Sequence, residues 1–268
     1  MSRLISVVLV LALAWAAPAI GATSPAGPLP TGTLRATFIG TNPVQATIDP
    51  RTGEARGPAA ELARELAKKL GVTAKVTAAE GVRGVLDSVK KGDADIGFLA
   101  YDSGRAAEVD FSQPYSLGQN TFIVLTSSPI GTVRDIDRPG TRIGATGGDA
   151  GELFLSRSMK NARIERFRDG DMEMAMEKLR TGELQAYGTN RQRLYEIARR
   201  ASDLRLLPDN FYAVEQSIIV KKGNKALLGL VIRFLDDART SGFVADSIRR
   251  SGLVGVDVAR PRATGSSR

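Results

Sequence analysis

The sequence predicts an α/β fold, because apolar runs of strand length alternate with amphipathic runs of helix length from residue 34 to residue 239. The alternation starts afresh at Thr141, after a first series that ends near Arg105. The chain has 268 residues and is 43% hydrophobic, enough for one large or two modest cores.

Leu34 to Ile39 reads as the first strand. Pro58 to Leu70 reads as a helix. Proline suits its first position, Ala59, Leu62, Ala63, Leu66 and Leu70 make one apolar stripe, and Gly71 stops it. Val72 to Thr77 is the next strand, and Val85, Leu86 and Val89 mark a short helix closed by Gly92. Ile96 to Ala100 is a buried strand that leads into a helical turn around Arg105. The second series begins with strand Thr141–Thr146 and passes Gly147-Gly148 into a helix over Glu152–Ser158. Helix Met172–Arg180, strand Leu184–Gly188 and a helix from Arg191 to Arg200 follow. The cluster Met172, Met174, Met176 is expected to fill a core, although only Met172 and Met176 share a face. Ser217–Lys221 is the expected final strand. Lys225–Arg239 is a long helix with Leu227, Leu228, Val231, Phe234 and Leu235 turned inward.

The ends read differently. Met1-Ser2-Arg3 is a short positive region, Leu4 to Ala17 is an apolar run, and small residues follow at Ala17-Pro18-Ala19 and Ile20-Gly21-Ala22. That is the pattern of a secretory signal over 1–22, cleaved after Ala19, Gly21 or Ala22. The alternative is an uncleaved anchor, but the run falls short of the roughly 20 apolar residues a span requires. Residues 23–31 form a Pro/Gly/Ser-rich linker, and 258–268 a polar, disordered tail.

Composition removes several chemistries. The chain has no cysteine and no histidine, so disulfides, thiol nucleophiles, Cys/His zinc sites, histidine bases and a lipid-anchor cysteine are excluded. The net charge of +8 comes from dispersed Lys and Arg with no basic block alternating with aromatics, which argues against nucleic acid. Gly147-Gly148 fits neither a Walker loop nor GxGxxG. A strand, a glycine turn and a helix start make either an anion site or simply a tight connection.

Several segments, in order, resemble the extracellular solute-binding family 3, the polar amino acid receptors of ABC transporters. Gly32-Thr33-Leu34-Arg35 is similar to the family's opening strand. Gly53-x-x-x-Gly57 followed by Glu61-Leu62-Ala63 and Lys68-Lys69-Leu70-Gly71-Val72 resembles its first helix, and Gly92-Asp93-Ala94-Asp95-Ile96 its next strand. Arg105-x-x-x-Val109-Asp110-Phe111-Ser112-Gln113-Pro114-Tyr115 is similar to the most specific motif, RxxxvdFSxPY. Ile143-Gly144-Ala145 to Gly148, Gly182 to Ala186 and Ile218 to Gly223 complete a collinear set over residues 32–255. Asn42-Pro43-Val44, and Phe98-Leu99-Ala100 followed by Asp102, look like a divergent branch.

The resemblance implies a two-lobed periplasmic-binding-protein fold of type II, two α/β lobes joined by two hinge strands. Lobe 1 would take 32–121 plus 215–257, and lobe 2 122–214. By the same resemblance Arg105 forks onto a ligand carboxylate, the choice of guanidinium reflecting its paired N–H groups. A surface ion pair with Asp102 is the alternative. Phe98 and Ala100 would line the lobe 1 strand edge, Asn42 the mouth of the first strand, and Gly148, Asp149 and Ala150 the lobe 2 helix start. Asn190 stands where the family commonly carries an aspartate for the ligand ammonium. Gln216 faces the cleft from the second hinge strand, with Glu215 turned away. Asp102 and Asp149 replace hydroxyls; each either caps a helix or takes over the ammonium.

The implied function is a periplasmic substrate-binding protein. It would bind an amino acid or other organic acid by hinge closure, act as a monomer beside an ABC transporter permease, and use no cofactor, metal or catalytic residue. The alternatives are an accessory or sensor subunit of the same fold and a dehydratase-like enzyme, whose acid would have to be a carboxylate such as Asp102, Asp149 or Glu215.

Overall fold

In the computed structural model the described residues are Leu29 and 32–260. The expected signal (1–22) lies outside them, as do most of the linker and residues 261–268.

Strand β1 (Thr33–Ile39) leads through the short hairpin β2 (Thr47–Ile48) and β3 (Ala55–Arg56) to helix α1 (Pro58–Lys69). Then come β4 (Thr73–Ala79), α2 (Gly81–Lys91), β5 (Ile96–Ala100) and the single turn α3 (Ser103–Ala106). Strand β6 (Val109–Leu125) carries the chain into a second group: β7 (Arg142–Thr146), α4 (Ala150–Ser158), β8 (Arg163–Phe167), α5 (Met172–Arg180), β9 (Ala186–Asn190), α6 (Arg191–Ala198) and β10 (Leu204–Leu206). Strand β11 (Tyr212–Lys221) returns, and α7 (Lys225–Thr240), α8 (Phe243–Arg250) and β12 (Val256–Val258) finish the first group.

The main sheet runs β4-β1-β5-β11-β6-β9-β7-β8. Parallel trios stand at its two ends, β4-β1-β5 and β9-β7-β8, and the antiparallel pair β6·β11 joins them. Parallel strands need crossover connections, which α1, α2, α4 and α5 supply. β6 has 17 residues and, at about 3.3 Å each, extends some 55 Å, long enough to belong to both halves. Its register with β11 shifts between Gln216 and Ser217 and again before Ile219, opposite Pro114, which has no N–H for the ladder.

The apolar side chains form separate cores. Leu34, Phe38, Leu62, Leu66, Phe98 and Val231 belong to one on the α1/α7 side of the first lobe, and Val85, Leu99 and Ile219 to another under α2. The second lobe buries Ile123, Met176 and Leu194 on one face and Phe122, Ile143 and Leu155 on the other. Leu66 is fully buried on the predicted stripe, so Leu66→Ala should cost about 2–5 kcal/mol.

Three expectations are corrected. Ser217–Lys221 is only the end of β11, and it is not the last strand, since β12 pairs with β6. Val258 closes β12 and the buried Ala259 donates to the Tyr115 carbonyl at 3.1 Å, so the fold continues past the expected start of the tail. Met174 is 54% exposed and fills no core. The expected lobe limits, 121/122 and 214/215, fall inside β6 and β11, the two strands that cross between the halves of the sheet.

Candidate ligand-binding cleft

The C-terminal ends of β1 and β5 face those of β7 and β9 across a cleft, the usual ligand position in open α/β sheets. The cleft has an outer groove of about 990 Å³ and a small inner cavity of about 50 Å³. Ile39, Asn42, Val82, Asp149, Thr189 and Asn190 border both.

Arg105 closes the inner cavity from α3. It is only 6% exposed. Its Nη1 donates to the Ala100 carbonyl (2.9 Å) and its Nη2 to the Gly148 carbonyl in the other lobe (2.7 Å). Among the described residues no carboxylate stands close enough to form an ion pair with it. Burial lowers its pKa, opposed by the fields of Asp102 and Asp149. A guanidinium has five N–H donors, so three remain for a ligand. Asp102 is not its ion-pair partner. That carboxylate caps α3 through the N–H groups of Gly104 (2.9 Å) and Arg105 (3.4 Å) and pairs with Arg157 of α4 at 3.4 Å.

Asp149 caps α4, accepting the Glu152 N–H at 2.7 Å. Unlike Asp102 it borders both spaces of the cleft. Burial pushes its pKa up to about 6, against the Glu152 N–H and the charges of Arg105 and Arg193. The Gly147-Gly148 turn is a tight connection. The Gly148 N–H (φ 77°) donates to Glu152, whose carboxylate also holds Ser156 and Arg166. Ala150 and Gly151 border the inner cavity with first-turn amides, which have no intrahelical acceptor.

Amide side chains make up much of the remaining wall. Asn190 caps α6 through the Arg193 N–H (2.8 Å) and its Nδ2 reaches Asn42 Oδ1 across the cleft at 3.5 Å. Gln216 on β11 accepts from Gln45 Nε2 at 3.0 Å, and Gln45 Oε1 takes the Ile39 N–H at 2.9 Å. Thr41 donates to Asp169 across the cleft, and Asp169 pairs with Arg193 at 3.3 Å. Four of the contacts run from one lobe to the other: Asn190–Asn42, Thr41–Asp169, Arg105–Gly148 and Asp102–Arg157.

The profile of the bacterial extracellular solute-binding proteins, family 3, matches residues 36–250, most of the chain. The chain belongs to that family. No curated protein matches it. Solved structures of the same shape include a putative binding component of an ABC transporter from Wolinella succinogenes complexed with lysine (TM-score 0.70, 20% identity, 82% of this chain and 95% of that one). An amino acid ABC transporter substrate-binding protein from Streptococcus pneumoniae bound to L-arginine is similar (0.68, 22%, 82% and 94%). So is an ancestral amino acid-binding protein described as a precursor of cyclohexadienyl dehydratase (0.67, 23%, 82% and 95%). What they share with the chain is the two-lobed fold.

Within this family 3 member, Ala100, Arg105, Asn42, Asp149, Ala150, Asn190 and Gln216 gather at the inner cavity, and Gly148 borders the outer groove. Phe98 does not. It is wholly buried against the Tyr115 ring in the first-lobe core, 5.9 Å between centroids. Asp102 borders neither space. Glu215 lines a groove on the back of the hinge, as its alternation with Gln216 predicts. The sequence reading missed Gln45, Asn120, Thr189 and Arg193. Only Gln45, three residues after Asn42 in the same loop, carried a local signal.

Proposed function

We propose that the mature chain is the periplasmic receptor of an ABC transporter for a small amino-bearing carboxylate, an α-amino acid in the first instance. The observation that carries this reading is Arg105, a buried guanidinium with no ion-pair partner beside a cavity that both lobes build. Buried charges are paired when the protein is at work, and a ligand carboxylate is the partner that fits a fork of free N–H groups. Contacts from both lobes then favour closure. Family membership supports export and delivery to a membrane permease. A thermal-shift screen of amino acids and organic acids tests it. A ligand at 100 times its dissociation constant adds about 2.7 kcal/mol; no shift with any carboxylate overturns the reading.

Asp149 favours a second reading. An acid with a pKa of about 6 beside a cation in a cleft suits protonation of a departing hydroxyl, as a dehydratase requires. Turnover of prephenate or arogenate, absent in Asp149→Asn, would establish it.

A further inference from the structure

Asn120 lies on β6 where the strand passes from one lobe to the other, opposite Asn190 of β9 and Tyr212 of β11. Its backbone is satisfied, the carbonyl taking the Phe211 N–H at 2.9 Å. Its side chain is not. The residue is 3% exposed, it borders the inner cavity with Arg105, Asp149 and Gln216, and its Oδ1 has no hydrogen-bond partner among the described residues. The other buried polar atoms without partners, on Tyr115, Ser116, Ser217, Arg239 and Ser247, belong to residues that border neither space of the cleft. Gly151 makes room for the amide: a Cβ there would stand 2.5 Å from Asn120 Nδ2. Gly151 therefore leaves space for the Asn120 amide at the cavity's edge.

An unpaired buried amide oxygen is costly and persists where something compensates. Asn190, the residue expected to meet a ligand ammonium, is neutral and already caps α6. We propose that Asn120 is a specificity-determining contact, its Oδ1 accepting an N–H from the amino group of a ligand whose carboxylate lies on Arg105. The inference rests on the amino acid reading above. The substrate class it names is a carboxylate with a nearby nitrogen that bears hydrogen. Asp149 borders the same cavity and supplies the negative charge that a neutral amide lacks. The inner cavity, near 50 Å³, takes only this head group, and the rest of the ligand extends into the groove of about 990 Å³.

Calorimetry separates this from a packing role. The twenty protein L-amino acids are screened on the wild type, and the tightest is titrated beside its desamino acid into wild type and Asn120→Leu. The expected result is binding of the amino acid about ten-fold or more weaker in Asn120→Leu, with little change for the desamino acid. Equal weakening of both ligands, or of neither, overturns the inference and leaves the receptor reading intact. No binding of any of the twenty by the wild type overturns the amino acid reading, and the inference falls with it. Should Asn120→Leu fail to fold, Asn120→Ala provides the same contrast.

Discussion

Two aspartates open the helices that face each other across the cleft, Asp102 before α3 and Asp149 before α4. Locally they are alike: each follows a parallel strand, stands in extended backbone and accepts first-turn N–H groups. Their surroundings differ. Asp102, its side chain 11% exposed, borders neither space of the cleft and meets Arg157 of the opposite lobe, itself 64% exposed at the side chain. Asp149 turns inward, where burial raises its pKa to about 6. A capping motif therefore fixes where a carboxylate stands along the chain, and the packing around it decides whether it is structural or available to a ligand.

Arg105 lies between the two, and removing it tests the comparison hardest. Losing a buried, hydrogen-bonded charge partner costs about 2–5 kcal/mol of binding, roughly thirty- to several-thousand-fold in affinity. Arg105→Ala should do this, and Arg105→Lys should recover only part, because a point charge cannot fork. The variant should also lose about 1–3 kcal/mol of stability without ligand, because the Ala100 and Gly148 carbonyls lose their donors. An NMR titration should show Asp149 ionising above its wild-type value, since the guanidinium now pulls it down. Calorimetry with unchanged affinity would remove Arg105 from the site.

Asp149→Asn should give the next largest effect. Asn caps a helix as well as Asp does, so only the charge is lost. The folded pKa of about 6 exceeds the unfolded value of 3.8. The native state therefore holds the proton more tightly, and the wild type loses stability as pH rises from about 4 through 6. Asp149→Asn should nearly match the wild type at pH 3.5 and exceed it by up to about 3 kcal/mol at pH 8. Wild-type affinity for an ammonium ligand should rise across the same interval and stay flat in the variant. Denaturation and calorimetry at both ends of the range check this. A stability gain independent of pH would place the effect in the cap.

These contrasts also show what was legible. Arg105, Asp149 and Ala150 were placed at the cleft by the family resemblance, whose motifs are contiguous runs of strand, turn and helix start. Phe98 was assigned to the cleft by the same resemblance; both faces of β5 are buried, and its unbroken apolar run does not reveal which face meets which neighbour. Asn120 ends the run Ser116 to Asn120, whose small and polar residues carry no pattern of burial; β11 and β9 cover it. Gln45 is wholly buried through a partner 171 residues away. Gln45 stands close to Asn42 in the chain, but its burial, like that of Asn120, is created by tertiary pairing that local pattern does not encode.

The smallest effect should come from Asp102→Asn. The substitution keeps an oxygen for the Gly104 and Arg105 N–H groups and removes only the charge facing Arg157. A pair with one exposed partner contributes under about 1 kcal/mol and fades with salt. Stability should fall by no more than that at low ionic strength, and by nothing measurable near 1 M salt, where the Debye length is about 3 Å. Asp102→Ala removes the cap as well, at a further cost of about 1 kcal/mol. Because α3 is a single turn that carries Arg105, loosening it should also weaken the ligand, which Asp102→Asn should not. Affinity is therefore expected to drop in the Ala variant and to hold within about three-fold in the Asn variant. If Asp102→Asn instead costs as much affinity as Asp149→Asn, both aspartates face the ligand and the asymmetry between the two lobes is lost.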